Sequence, residues 1–317
     1  MNQLSKELDR YLTIRRSLGY GLTTTATILQ RFVDFAEQQD ADHISTDLFL
    51  RWKEAFGHAN QQTWVGYLGI VRVFAQWLHG LDPLNEVPPK GLIPCRLHRP
   101  KPYIYSDEET RNILKAAAEL PSKRGMRALT YSTLFGLLAV TGLRIKEALA
   151  LDNRDVDLEQ GVLTIRRGKG GKARLVPITD SVASHLKAYV NRRDQLVGFV
   201  PQSFFATEQG TRPDDCSARY NFSSVCQRIG LRPVIKPRYG RHGRGPRIHD
   251  LRHTFAARTL IGWYRTGKDP SREMHKLTTY LGHWNPEHTY WYIEAVPELL
   301  ELASQRVTGS SVGKVQG

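Results

Sequence analysis

Ile248-His249-Asp250-Leu251-Arg252-His253 reads as the opening of a helix. His249 and Arg252, three residues apart, fall on one face of it, and Leu251 turns toward a core. His253, four residues after His249, gives a spacing at which two imidazoles could share a metal. That pattern calls for a glutamate at the second position, where Asp250 stands, and Arg252 puts a permanent cation beside the site. The metal reading is therefore weak, and His249 and Arg252 read as neighbours on one helical face.

Toward the C-terminus, Gly282 in Leu281-Gly282-His283 ends the helix that carries Leu277 and Tyr280 and leaves His283 at its rim. Thr289-Tyr290-Trp291-Tyr292-Ile293 follows with two phenols, a run that by itself reads equally as packing. Glu298 to Ala303 forms a short amphipathic helix, and the small and polar residues of Thr308 to Gly317 read as a frayed tail.

Toward the N-terminus, Gly161 to Ile165 and Arg174 to Pro177 alternate as two strands around Gly168-Lys169-Gly170-Gly171-Lys172, a hairpin. A lysine on a glycine-rich turn can be delivered to a ligand and give a proton to a leaving oxygen, though such lysines are more commonly just solvated. In Thr141-Gly142-Leu143-Arg144-Ile145-Lys146-Glu147 one helix breaks and the next opens at Arg144. An arginine there faces exposed amide donors, and Glu147 could hold its fork, or the two could form an ordinary surface ion pair.

The 317 residues suggest two domains. Four apolar stripes at helical spacing, carried by Leu8, Phe32, Trp52 and Leu68 among others, make residues 1–86 a small helical bundle. Five prolines with interspersed Lys and Arg make 87–104 a basic linker. Ser106 and Glu109, at capping-box spacing, open a second domain over 105–306, with 307–317 a tail. The fold class is mainly α with a small antiparallel β-sheet (α+β). Between Arg252 and His283 the segment Tyr264 to Arg272 reads as an inserted surface loop, and Lys236 to Arg247 as an extended basic loop.

Lys and Arg exceed Asp and Glu by 45 to 31, a formal charge of +14, which favours a polyanionic partner. Cys95, Cys216 and Cys226 form no CxxC pair and read as reduced thiols. The polar start lacks a secretory pattern, and the longest apolar stretch, Tyr131 to Leu143, is too short to span a bilayer. A cytoplasmic protein without a membrane partner is expected.

Each of these segments is weak alone. Together, in this order, they resemble the catalytic domain of the tyrosine site-specific recombinase (phage integrase) family, and the resemblance extends over the whole chain. TGLR-x-x-E matches Arg144 with Glu147, the hairpin lysine matches Lys169, H-x-x-R matches His249 and Arg252, and LGH matches His283. The nucleophile, nine residues beyond, matches Tyr292 rather than Tyr290. The resemblance implies a helical core-binding domain, a linker and a catalytic domain that close on double-stranded DNA at inverted-repeat core sites. It implies cleavage and rejoining through a 3′-phosphotyrosyl link, with Arg144, Lys169, His249, Arg252, His283 and Tyr292 catalytic and no cofactor, metal or ATP. A C-terminal helix docking on a neighbour implies a homotetramer on DNA, the alternative being a helix packed on its own domain. The Trp291-Tyr292-Ile293 context resembles recombinases of bacterial mobile elements, some encoded beside sister recombinases. The same chemistry would also serve a type IB topoisomerase, and the same fold a non-catalytic DNA-binding regulator. A metal-dependent nuclease is the third alternative.

Overall fold

The structure is a computed structural model that describes residues 3–56, 59–95, 101–166, 173–234, 245–282 and 285–312. The chain divides into two compact units, Met1–Arg99 and Pro100–Gly317.

In the first unit α1 (Gln3–Ser17), α2 (Thr23–Gln38), α3 (Thr46–Ala55) and α4 (Gln61–His79) each bury one apolar stripe. Ser45 and Asn60 cap α3 and α4 by accepting the amides of Leu48 and Thr63. The centre is aromatic, with Trp52 and Trp64 meeting edge to face at 5.1 Å. Past α4 the chain remains tied to the bundle. Ile44 donates its amide to Asn85 Oδ1 at 3.0 Å and accepts the Glu86 amide at 2.7 Å, and Ile93 is buried in the same core. The proline-rich stretch is therefore anchored to the first unit at least as far as Ile93.

The second unit opens on α5 (Asp107–Ala118), where the Ser106–Glu109 capping box is closed in both directions. α6 (Met126–Thr141) is apolar nearly all round and forms the buried centre. α7 (Ile145–Leu149) follows at once, with Arg144 at its N-cap. The sheet has three antiparallel strands in sequence order, β1 (Val156–Asp157), β2 (Val162–Ile165) and β3 (Arg174–Pro177). Its register pairs Leu163 with Val176, both buried. The two-residue β1 is too short to leave a pattern in the sequence. α8 (Asp180–Val197) and α9 (Asp215–Arg228) complete this core.

α10 (Asp250–Arg265), α11 (Pro270–Leu281), α12 (Glu287–Ala295) and α13 (Pro297–Val312) build a second cluster that contains Leu260, Leu277, Tyr292 and Leu299. The surface loop expected over Tyr264 to Arg272 is corrected. Only 266–269 connect α10 to α11, because Asp269 caps α11 through the Ser271 amide and Pro270 supplies its first residue. The expected loop at Lys236 to Arg247 falls mostly on 235–244, outside the described residues. α13 lies against α10 and α12 of its own unit, with Leu299 fully buried and Glu298 paired to Arg265 at 2.7 Å. Among the described residues no helix is long and apolar enough to cross a membrane.

Candidate active site

The end of α6 is the first fixed point. Gly142 takes the left-handed conformation (φ 61°) that closes the helix, and a Cβ there would stand 2.5 Å from the Phe255 ring. The turn brings Arg144 to the N-cap of α7, where its amide and its Nη1 reach the two oxygens of Glu147 at 3.0 and 2.8 Å. Glu147 is buried and also receives Arg174, from β3, at 2.7 and 3.1 Å. Burial alone would raise its carboxyl, but the bonds and charges of Arg174 and Arg144 outweigh that and hold it at about 2. One carboxylate thus orients two guanidiniums by charge-assisted bonds.

The end of α11 is the second fixed point. Gly282 (φ 66°) ends that helix and lies so near Arg174 that a Cβ would stand 2.9 Å from its Nη1. The carbonyls exposed there accept arginines. Tyr280 takes Arg174 Nε at 2.8 Å and Gly282 takes Arg144 Nη2 at 3.0 Å. Leu281 takes Arg252 Nη2 at 2.7 Å and Arg144 Nη1 at 3.4 Å. The negative pole of the helix suits cations there. Arg252, projecting from α10, also donates to the Gly142 carbonyl at 2.7 Å. It is buried, and burial and then the charge of Arg144 pull its guanidinium below its ordinary value, while Tyr292 and Glu147 work the other way. It remains a cation at neutral pH.

His249 is the N-cap of α10, one turn before Arg252, and keeps a solvent-exposed edge. Partial desolvation and then the charges of Arg252, Arg144, Arg247 and Arg219 hold its imidazole well below the ordinary value, so it is neutral at pH 7. Tyr292, on α12, is buried, and its hydroxyl lies 2.8 Å from Nδ1 of His253. Tyr290, two residues earlier, is exposed and lines a separate depression with Tyr264 and Arg306. Arg144, His249, Arg252 and Tyr292 are thus brought to one place, at the junction of α7, α10, α12 and the end of α11. Lys169 and His283 lie outside the described residues. Among the described residues no group of three or more His, Cys, Asp and Glu side chains is arranged to hold a metal, and His249 and His253 sit edge to face.

Two residues that matter here were not singled out for this role from the sequence. Arg174 shares the period-two face of β3 with buried Val176, while Leu175 between them is exposed. That alternation is the signal by which an inward arginine could have been found. In the sequence His253 stands out only as a possible metal ligand, and the Tyr292 hydroxyl it meets lies 39 residues away.

The chain matches the phage integrase family over residues 104–298. It belongs to the tyrosine recombinases of that family. A protein named putative integrase/recombinase y4rB, of Sinorhizobium fredii, is 39% identical to this recombinase over 312 residues, 97% of this chain and 98% of its own. Among solved structures, the Tn1549 transposon integrase in complex with a circular intermediate DNA superposes with a TM-score of 0.63 at 16% identity. That alignment covers 92% of this chain and 95% of the other. A lambda integrase tetramer bound to a Holliday junction gives 0.61 at 16% identity, covering 89% of this chain and 78% of its own. At such identities these two likenesses speak for the fold of the recombinase.

Proposed function

We propose that this recombinase cuts and rejoins double-stranded DNA at specific inverted-repeat sites, with Tyr292 as nucleophile, to move a mobile genetic element. One observation carries the reading. A buried phenol and two arginines that donate to a single carbonyl, Leu281, meet in a chain of this family. A phosphodiester is anionic and repels an attacking oxygen, so it needs its charge met. Arg252 uses two of its five N–H donors on carbonyls, which leaves its fork able to take nonbridging oxygens. Arg144 shares that task. His249, neutral at pH 7, and His283 add hydrogen bonds to the phosphate.

In the step itself the phenolic oxygen bonds to phosphorus and the bond to the 5′ oxygen breaks. Lys169 protonates that oxygen. The products are a 3′-phosphotyrosyl link and a free 5′ hydroxyl, and a 5′ hydroxyl from another strand reverses the step without ATP. The four-helix bundle of the first unit, over 1–86, would be the core-binding domain, joined through 87–104 to the catalytic domain over 105–306. The recombinase would assemble as a homotetramer on DNA, alone or with a sister recombinase; the lambda integrase tetramer bound to a Holliday junction supports the tetramer. A cytoplasmic location fits that substrate.

The test uses a nicked suicide substrate that traps the covalent complex. Tyr292→Phe is expected to bind DNA and form no adduct, with Tyr290→Phe near wild type. The reverse pattern would remove Tyr292 from the role. Lys169→Ala is expected to be slow and to recover on a 5′-phosphorothiolate, whose leaving group needs no protonation. Absence of recovery would count against Lys169 as the acid.

A further inference from the structure

We infer that His253 is a catalytic residue, the group whose Nδ1 accepts the proton of the Tyr292 phenol as its oxygen bonds to phosphorus. The inference rests on Tyr292 being the nucleophile. His253 follows Arg252 directly in α10, so the backbone that sets the guanidinium also sets the imidazole. Nδ1 and the phenolic oxygen are 2.8 Å apart, within reach of direct transfer. The His253 ring is buried against the Trp291 ring at 5.7 Å and the His249 ring at 4.8 Å, so it is held in register rather than sampling rotamers.

Burial of the phenol makes the point chemical. A hydroxyl with its ring closed off from water gives its proton to a protein group, and His253 is bonded to it at 2.8 Å. His249 suits that duty poorly. Its imidazole is pulled down by desolvation and four arginine charges, which weakens it as a base and suits it to the phosphate instead. The balance is simple. With the ring proton on Nε2, the phenolic O–H bond breaks and an Nδ1–H bond forms. The oxygen bonds to phosphorus, and the 5′ oxygen leaves with the electron pair of its broken bond and takes a proton from the separate acid. On rejoining, imidazolium returns the proton to the departing phenolate.

The experiment measures single-turnover adduct formation by the full chain on the suicide substrate. His253→Phe fills the space without an acceptor, and His253→Asn offers an acceptor near the Nδ1 position without basicity. We expect both to bind DNA as wild type does and His253→Phe to slow adduct formation on the order of 10²-fold. His253→Asn should recover less than about a tenth of the wild-type rate, and a 5′-phosphorothiolate should restore neither. A His253→Phe rate within about threefold of wild type overturns the inference. So does a wild-type rate for His253→Asn, which would make the contact one of holding only, or restoration by the phosphorothiolate. Should the variants fail to fold, ¹⁵N-histidine NMR of the wild type serves. An Nδ1 resonance unaltered in Tyr292→Phe overturns the inference. Tyr292→Phe assayed in parallel separates the two ideas, since an adduct independent of Tyr292 fails the nucleophile and leaves His253 without a partner.

Discussion

Glu147 is the residue on which the arginines depend. It is a single buried carboxylate between Arg144 and Arg174, and removal of one member of such a set leaves charge uncompensated. Glu147→Gln should therefore lower stability by about 3 kcal/mol, read as a shift in urea midpoint, and slow adduct formation about 10²-fold while DNA binding changes little. The pH dependence has a definite sign. The carboxyl is held at about 2 in the fold against an ordinary 4.5, so between those values the unfolded chain binds the extra proton. The stabilisation is complete above pH 4.5 and fades as pH falls toward 2. Urea midpoints measured down that range should drop more for wild type than for Glu147→Gln, and parallel curves would sink the idea. The Arg144–Glu147 pair was legible in the sequence because its partners are three residues apart. Arg174 and His253 were not, because their partners lie 27 and 39 residues off and no local spacing announces them.

At the scale of elements, helix ends do the positioning. Gly142 sits at positive φ with the Phe255 ring where a Cβ would go, so Gly142→Ala should cost about 1–3 kcal/mol and disturb the path to Arg144. Equilibrium unfolding checks this, and an unchanged midpoint would mean the turn relaxes. Ser106→Ala, which opens the capping box of α5 and removes no side chain of the site, should cost about 1 kcal/mol and leave cleavage intact. Leu299→Ala on α13 should cost about 2–5 kcal/mol as a cavity in the α10–α13 cluster. A loss near zero by the same measurement would mean that α13 does not hold this cluster together. Caps and stripes near in sequence were readable. The α10–α11 junction reads as a longer loop than it is because its polar residues, Thr266 to Asp269, look like loop while the turn and cap they form are short.

For the molecule as a whole, charge sets the partner and distance sets what sequence reading can reach. An excess of +14 should make DNA affinity fall steeply with salt, with log–log slope about −0.9 per phosphate contacted, measurable by titration at several salt concentrations. A flat response would remove phosphate contacts as the main source of affinity. The α+β class and the motif order came from residues within a few turns of each other. The convergence of β3, α7, α10 and the end of α11 came from packing over more than a hundred residues, which no one-dimensional period encodes. Arg144 and Arg252 hang on the Leu281 peptide oxygen, an atom common to every amino acid. Exchange of the leucine cannot delete that acceptor. Mutation can only displace it, so tolerance at position 281 is a question of how still the main chain stays.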